Sequence, residues 1–209
     1  MTGVLRSTGP AGMCWCLRMN DKGVIREMGM NEDIGEILFS AGQIADIVNR
    51  MGGQISSDYE GKNLIMVSVL KGSLIFMSDL MRAITIPCSI DFLSVSSYGA
   101  GTTTTGEVRI LKDLDISLEG KDVLVVEDIL DSGMTLSFLL KSLKARYPNS
   151  IRLCTLLDKP ERRRVDIKAD YVGMQVPDKF IVGYGLDYAE KYRNLPYIGV
   201  LKPEIYTER

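Results

Sequence analysis

At 209 residues, 45% hydrophobic and 25% charged, the chain has the length and composition of one globular domain with a sizeable core, not of a disordered chain. Its net charge of −2, from 25 basic and 27 acidic residues, excludes a global basic field of the kind that recruits nucleic acid. It contains no histidine, which excludes Ser-His-Asp triads, His–Zn sites and histidine general bases, so proton transfer falls to carboxylates, Lys, Tyr or Cys.

The four cysteines, Cys14, Cys16, Cys88 and Cys154, form no CxxC pair and no disulfide-dense pattern, which favours a reducing, cytoplasmic compartment. No apolar segment has the length of a membrane span. Residues 1–30 are expected to form a weakly ordered N-terminal extension, with Trp15 as a surface anchor.

From there Ile34, Ile37, Leu38, Ala41, Ile44, Ala45, Val48 and Met51 fall at helical spacing, with Asn31 or Asp33 as the cap and Gly52-Gly53 as the stop. Leu64–Leu70 (LIMVSVL) reads as a fully buried strand and Leu74–Ile84 as a buried helix. Strands are predicted over Ser89–Tyr98 and Val108–Asp115, on either side of a Gly/Thr-rich tract, GAGTTTTG. Val123–Val126 is the most apolar strand. Met134–Arg146 then places Leu136, Leu139, Leu140 and Leu143 on one helical face and ends before Pro148. Arg152–Leu157, Tyr171–Val176, Phe180–Val182 and Tyr197–Val200 are further predicted strands. This alternation points to an α/β fold with a mostly parallel central sheet flanked by helices, and to residues 31–209 as a single domain.

The chemistry concentrates in VLVVEDILDSGMT, Val123–Thr135. Ligands of an open parallel sheet bind beyond the carboxyl ends of its strands, and Glu127 and Asp128 directly follow the buried run. Successive strand residues point to opposite faces, so the two carboxylates do not converge on one ligand atom. A hydrated Mg²⁺ or a pair of ribose hydroxyls can span them. Asp131 opens a turn in which Gly133 permits tight backbone. The Ser132 and Thr135 hydroxyls, with the N–H groups of the helix start, make a phosphate cradle. A lone aspartate here would read as a helix cap or solvated surface. The ordered combination points instead to a sugar phosphate carrying a metal-bound polyphosphate. A Walker A loop is absent, since Gly120-Lys121 is followed by Asp122.

At every position this stretch resembles the phosphoribosyl-pyrophosphate (PRPP) signature of type I phosphoribosyltransferases: a hydrophobic run, two acids, two hydrophobics, Asp, a small residue, Gly, any residue, Thr. The resemblance implies that family's fold, with a small hood formed by the terminal segments, and Mg²⁺ with PRPP as ligands. Val69-Leu70-Lys71-Gly72-Ser73 resembles the pyrophosphate loop of the 6-oxopurine branch, where the Leu-Lys bond is a non-proline cis peptide. Ser97-Tyr98, with the following GAGTTTTGEV, resembles the mobile lid that shields an oxocarbenium-like transition state from water. Asp158-Lys159-Pro160, Phe180–Tyr188 (FIVGYGLDY) and Glu190–Pro196 (EKYRNLP) resemble the purine site of that branch. The match keeps its order from about Asn31 to Tyr206.

What the resemblance implies for individual residues follows. Glu127 and Asp128 hold the ribose hydroxyls, directly or through Mg²⁺, and Asp187 binds a metal carrying pyrophosphate. Lys71, with Gly72, and Arg193 receive the leaving pyrophosphate. Ser132, Gly133, Met134 and Thr135 cradle the 5′-phosphate, and Asp131 is the general base near purine N7. Phe180 stacks on the base, Lys159 donates to its 6-oxygen, and backbone near Ile181 and Asp187 meets its other edge. The implied activity is purine salvage: transfer of the phosphoribosyl group to hypoxanthine or guanine, giving IMP or GMP and pyrophosphate, by a homodimer or homotetramer. Met134 departs from the Lys or Arg common at its position, which touches only side-chain contributions to the cradle. Two alternatives stand beside this: a regulator of the same fold that binds RNA through a basic face such as Arg162-Arg163-Arg164, and a transferase preferring xanthine.

Overall fold

The computed structural model of the chain describes residues 6–8, 14–19, 25–27, 30–97 and 108–207. The molecule divides into two units, residues 1–36 with 201–209, and residues 37–200. In the first unit, β1 (Arg6–Thr8), β2 (Cys14–Met19) and β3 (Ile25–Glu27) pair antiparallel in that order. A 3-10 turn, Met30–Asp33, follows, and the Lys202 N–H donates to the Asp33 carbonyl at 2.9 Å.

β4 (Ile34–Phe39) corrects the predicted start of the first helix. The helix, α1 (Ala41–Asp58), begins only after Ser40, whose Oγ accepts from the Gln43 N–H at 3.4 Å, while Gln43 Oε1 accepts from the Ser40 N–H at 2.9 Å. This capping box displaces Asn31 and Asp33 from the capping role. It lay concealed because the apolar spacing runs through strand and helix without a break. Nor does Gly52-Gly53 end the helix. A Cβ on Gly52 would lie 2.6 Å from Ala83 Cβ, so the glycine serves a close approach between two helices.

Six strands form the central sheet: β5 (Leu64–Leu70), β6 (Cys88–Ser97), β7 (Val108–Lys112), β8 (Asp122–Leu130), β9 (Ser150–Asp158) and β10 (Tyr171–Gln175). Their order is β10-β9-β8-β5-β6-β7, parallel throughout except for the β6–β7 pair. Both faces are covered, as continuous apolar runs require. The strand pleat sorts the runs. Leu64, Met66, Leu124 and Val126 pack with Ile44, Val48 and Met51 of α1 and Phe76, Met77 and Leu80 of α2 (Leu74–Ala83). Ile65, Val67, Val69, Val123 and Val125 pack with Leu136, Leu139 and Leu143 of α3 (Met134–Lys144). β8 outruns its predicted end at Val126 because β9 continues beside it, pairing Glu127 with Thr155, Ile129 with Leu157 and Leu130 with Asp158. The two acids therefore sit inside the ladder, not beyond it. β11 (Ile181–Val182) and β12 (Ile198–Leu201) pair antiparallel, Ile181 with Val200 and Val182 with Gly199.

Candidate active site

Three backbone segments meet at the carboxyl rim of β5 and β8. The first is the loop after β5. Its Leu70–Lys71 bond is cis, as the resemblance implied. Buried Ser73 braces the loop through its Oγ, which is 2.7 Å from Ser68 Oγ and bonded to the Val69 carbonyl. Gly72 lies so close to β8 that a Cβ there would fall 1.9 Å from Asp128 Oδ2. Behind the loop, Gly185 has φ of +104°, and its Cβ would meet the Gly72 carbonyl oxygen at 2.1 Å. Only glycine suits both demands.

At the end of β8, Asp128 is 9% exposed, and its Oδ1 accepts from the Ile129 N–H at 2.8 Å. Burial pushes its carboxyl up to about 6, against the Ile129 N–H and the Arg193 guanidinium, with the Asp187 charge adding to the rise. Burial also holds Glu127 well above the usual carboxylate range, and the Asp128 charge reinforces it. Glu127 Oε2 is buried with no hydrogen-bond partner among the described residues. Buried carboxylates of this kind can take a cation or a hydroxyl donor, because an unpaired buried charge is costly.

The turn from Asp131 to Gly133 is held from behind by an arginine pair. Arg163 donates from NH1 to the Leu130 carbonyl at 3.0 Å and the Asp131 carbonyl at 2.6 Å, and its NH2 ion-pairs with Asp158. Arg162 NH1 lies 3.5 Å from Asp131 Oδ2, and its Nε lies 3.7 Å from Asp178 Oδ1. Asp131 Oδ1 is buried without a partner among the described residues. Gly133 has φ of +79°, and a Cβ there would meet Ile167 Cγ2 at 2.5 Å, so the turn is pressed against the 163–167 segment. Two of the three clustered arginines are thus engaged in framing this turn and are not presented as a free basic face.

Lys71, Gly72, Glu127, Asp128, Asp131, Ser132, Gly133, Thr135, Asp187 and Arg193 all line one cavity of about 380 Å³. Val69, Leu70, Val95, Ile129, Leu136 and Leu186 complete its wall, apolar residues that the sequence reading assigned no role at the site. Arg193 NH2 lies 2.9 Å from Asp187 Oδ1, and its NH1 donates to the Gly185 carbonyl at 2.9 Å. Met134, Lys159, Phe180 and Ile181 do not line this cavity. Met134 is exposed at the start of α3, and Ile181 is buried in β11. Lys159 is 4% exposed; its Nζ donates to the Lys179 carbonyl at 2.8 Å and lies 3.7 Å from Asp178 Oδ1. Phe180 is partly exposed and meets the Tyr188 ring edge-on, with centroids 5.5 Å apart. Ser97 ends β6, and Tyr98 with the Gly/Thr-rich tract lies outside the described residues.

Residues 35–189, which carry every wall of this cavity except Arg193, match the phosphoribosyl transferase domain family. The chain belongs to that family. A hypoxanthine-guanine phosphoribosyltransferase of Staphylococcus aureus is 54% identical over 178 residues, 85% of this chain and 99% of that one. Bifunctional TilS/HprT of Listeria monocytogenes is also 54% identical, over 179 residues; the chain spans only 28% of its length. Among solved structures, a hypoxanthine phosphoribosyltransferase of S. aureus superposes with a TM-score of 0.83 at 54% identity, over 86% of this chain and 99% of that one. A hypoxanthine-guanine phosphoribosyltransferase of Bacillus anthracis reaches 0.78 at 52% identity, over 81% of this chain and 99% of that one.

Within this phosphoribosyl transferase domain, Gly185 lies in FIVGYGLDY, but its supporting role is not legible there, since its demand arises from tertiary approach to Gly72. Gly185→Ala is expected to destabilise the chain by about 2–4 kcal/mol, combining left-handed strain with a backbone clash. It is also expected to displace the Lys71–Gly72 loop. Urea denaturation reads the first effect and calorimetry with pyrophosphate the second. Wild-type stability in the variant would show that the contact relaxes freely.

Proposed function

We propose that the chain is a purine-salvage enzyme that transfers the 5-phosphoribosyl group of PRPP to hypoxanthine or guanine, giving IMP or GMP and pyrophosphate. The observation that carries this reading is the joint lining of one cavity by the Lys71–Gly72 loop, the Glu127–Asp128 pair, the Asp131–Thr135 turn and the Asp187–Arg193 pair. Together these offer sites for a diphosphate, a ribose diol and a terminal phosphate.

Among the described residues no three acidic or sulfur ligands converge to hold a metal by themselves. That suits Mg²⁺, which takes one or two carboxylates and completes its shell with substrate oxygens and water. Asp128 and Asp187 would hold it on the diphosphate side, and Glu127, whose Oε2 has no partner among the described residues, would take the ribose diol or a second ion. When bound, the ion offsets the charge of the departing diphosphate.

The chain's own groups do the rest. Lys71 and Arg193 receive the pyrophosphate. The main chain of Ser132 to Thr135 holds the 5′-phosphate at the start of α3. Purine N9 forms its bond to the anomeric carbon as the bond to the pyrophosphate oxygen breaks, and the proton left on N7 passes to the Asp131 carboxylate. The ammonium of Lys159 has three donors, of which the Lys179 carbonyl takes one, leaving donors for a 6-oxygen. Adenine would face that donor with an amino group, a mismatch that discriminates strongly. Phe180 supplies the stacking face. Assembly as a homodimer or homotetramer belongs to the same proposal.

The test is an absorbance assay with PRPP, Mg²⁺ and, in turn, hypoxanthine, guanine, xanthine and adenine. Turnover is expected with hypoxanthine and guanine and not with adenine. Turnover of xanthine alone would move the assignment to a xanthine enzyme, and silence with all four would refute the reaction.

A further inference from the structure

Residues 188–191 form a two-residue hairpin: the Tyr188 N–H donates to the Lys191 carbonyl at 3.2 Å, and the Lys191 N–H to the Tyr188 carbonyl at 3.0 Å. Its central residues, Ala189 and Glu190, have φ of +49° and +62°. Positive φ at both positions is the pattern of a type I′ turn, which favours Asn-Gly. Here both positions carry a side chain in a region that L-residues avoid. The turn aims Glu190 at two cations. Glu190 Oε1 lies 3.1 Å from Lys71 Nζ. Its Oε2 lies 3.2 Å from Arg193 NH2 and 3.4 Å from Arg193 Nε. The Glu190 N–H is tied to Asp187 Oδ2 at 2.9 Å. Lys71 and Arg193 line the cavity, whereas Glu190 sits outside it and reaches them from solvent. With side chains 67% and 64% exposed, the Lys71–Glu190 pair is screened by water and easily parted.

We propose that Glu190 is a stand-in anion for pyrophosphate: in the free chain its carboxylate occupies the two cations that receive the diphosphate, and the ligand must displace it. This inference rests on the proposed transfer reaction. A carboxylate bridging Lys71 and Arg193 keeps both side chains near the positions they need. It offers each only one oxygen, so a diphosphate with more oxygens and more charge replaces it, bidentate at the arginine. Once the product leaves, the carboxylate returns. Glu190 is therefore a positioning residue that lowers the affinity for pyrophosphate.

Calorimetric titration of pyrophosphate and of PRPP, each with Mg²⁺, into the wild type, Glu190→Gln and Glu190→Asn tests the assignment. Gln keeps the shape and removes the charge, and Asn also suits the left-handed backbone. Both variants are expected to bind the two ligands roughly threefold to tenfold more tightly, with the KM for the purine unchanged. Unaltered or weaker pyrophosphate binding in both variants, with wild-type binding intact, overturns the stand-in role. Failure of the wild type to bind PRPP would instead overturn the transferase reading beneath it.

Discussion

Replacing Asp131 by asparagine is expected to lower turnover roughly 10²–10⁴-fold while leaving PRPP binding intact. The turn that carries Asp131 is held mainly through its main chain, with the Arg162 contact to its carboxylate a long one at 3.5 Å. Arg163 holds the Leu130 and Asp131 carbonyls, and the Arg164 N–H holds the Ser132 carbonyl at 3.0 Å. Asparagine therefore sits where aspartate sat. What changes is the acceptor. Asp131 Oδ1 is buried with no hydrogen-bond partner among the described residues, while Oδ2 faces Arg162 NH1 at 3.5 Å. One oxygen thus faces a cation, and the other has its accepting capacity unused among the described residues. An amide can accept a hydrogen bond there but cannot take the proton. The chain has no histidine to substitute as base, and the neighbouring carboxylates, Glu127 and Asp128, lie on the β8 ladder. The absorbance assay measures turnover, and calorimetry with PRPP and Mg²⁺ separates lost chemistry from lost binding. Turnover within a factor of a few of wild type would remove Asp131 from the proton path.

β8 shows why so much of this site was legible in the sequence. A run of β-branched and leucine residues names a strand buried on both faces, although the acids that interrupt it do not end it, since β8 pairs on to Leu130. The acids, the glycine turn and the helix start then follow within a few residues, so local sequence and local structure coincide. The first helix was misread for the opposite reason. Ile34, Ile37 and Leu38 continue the apolar spacing of α1 although they lie in a strand, and only the Ser40/Gln43 capping box separates the two. Gly52 resembled a stop signal because its real purpose, room for Ala83, is not local. The same holds for Gly185 under Gly72, for Arg163 behind the Asp131 turn, and for the Ala189-Glu190 turn, whose residues carry no turn signature. Supports of a site are drawn from distant segments, and their demands become visible only when those segments meet.

Neutralising the buried acidic pair is expected to make the ligand-free chain more stable and the sugar-binding site weaker. Asp128→Asn keeps an oxygen to accept from the Ile129 N–H and removes a charge that burial disfavours. The Asp128 carboxyl rises from an ordinary 3.8 to about 6 in the folded chain, so the folded state holds its proton more tightly than the unfolded state does. Its favourable contribution is complete below the unfolded value and is lost as pH rises through about 6. Above that, at about 1.36 kcal/mol per decade of displacement, the charge costs the wild type about 1–3 kcal/mol that the variant avoids. Glu127→Gln acts in the same direction, since burial raises Glu127 as well. Urea denaturation at several pH values from about 4 to 8 checks this: the variant's advantage should grow with pH and level off near neutrality. PRPP with Mg²⁺ should raise the wild-type melting temperature far more than the variant's, because a ligand stabilises only through the affinity it has. An Asp128→Asn chain less stable than wild type at neutral pH would mean that Arg193 and the Ile129 N–H already compensate the charge. A stabilised variant with a weakened grip on PRPP would mark the pair as held against the interest of the fold, a charge that persists because the ligand requires it.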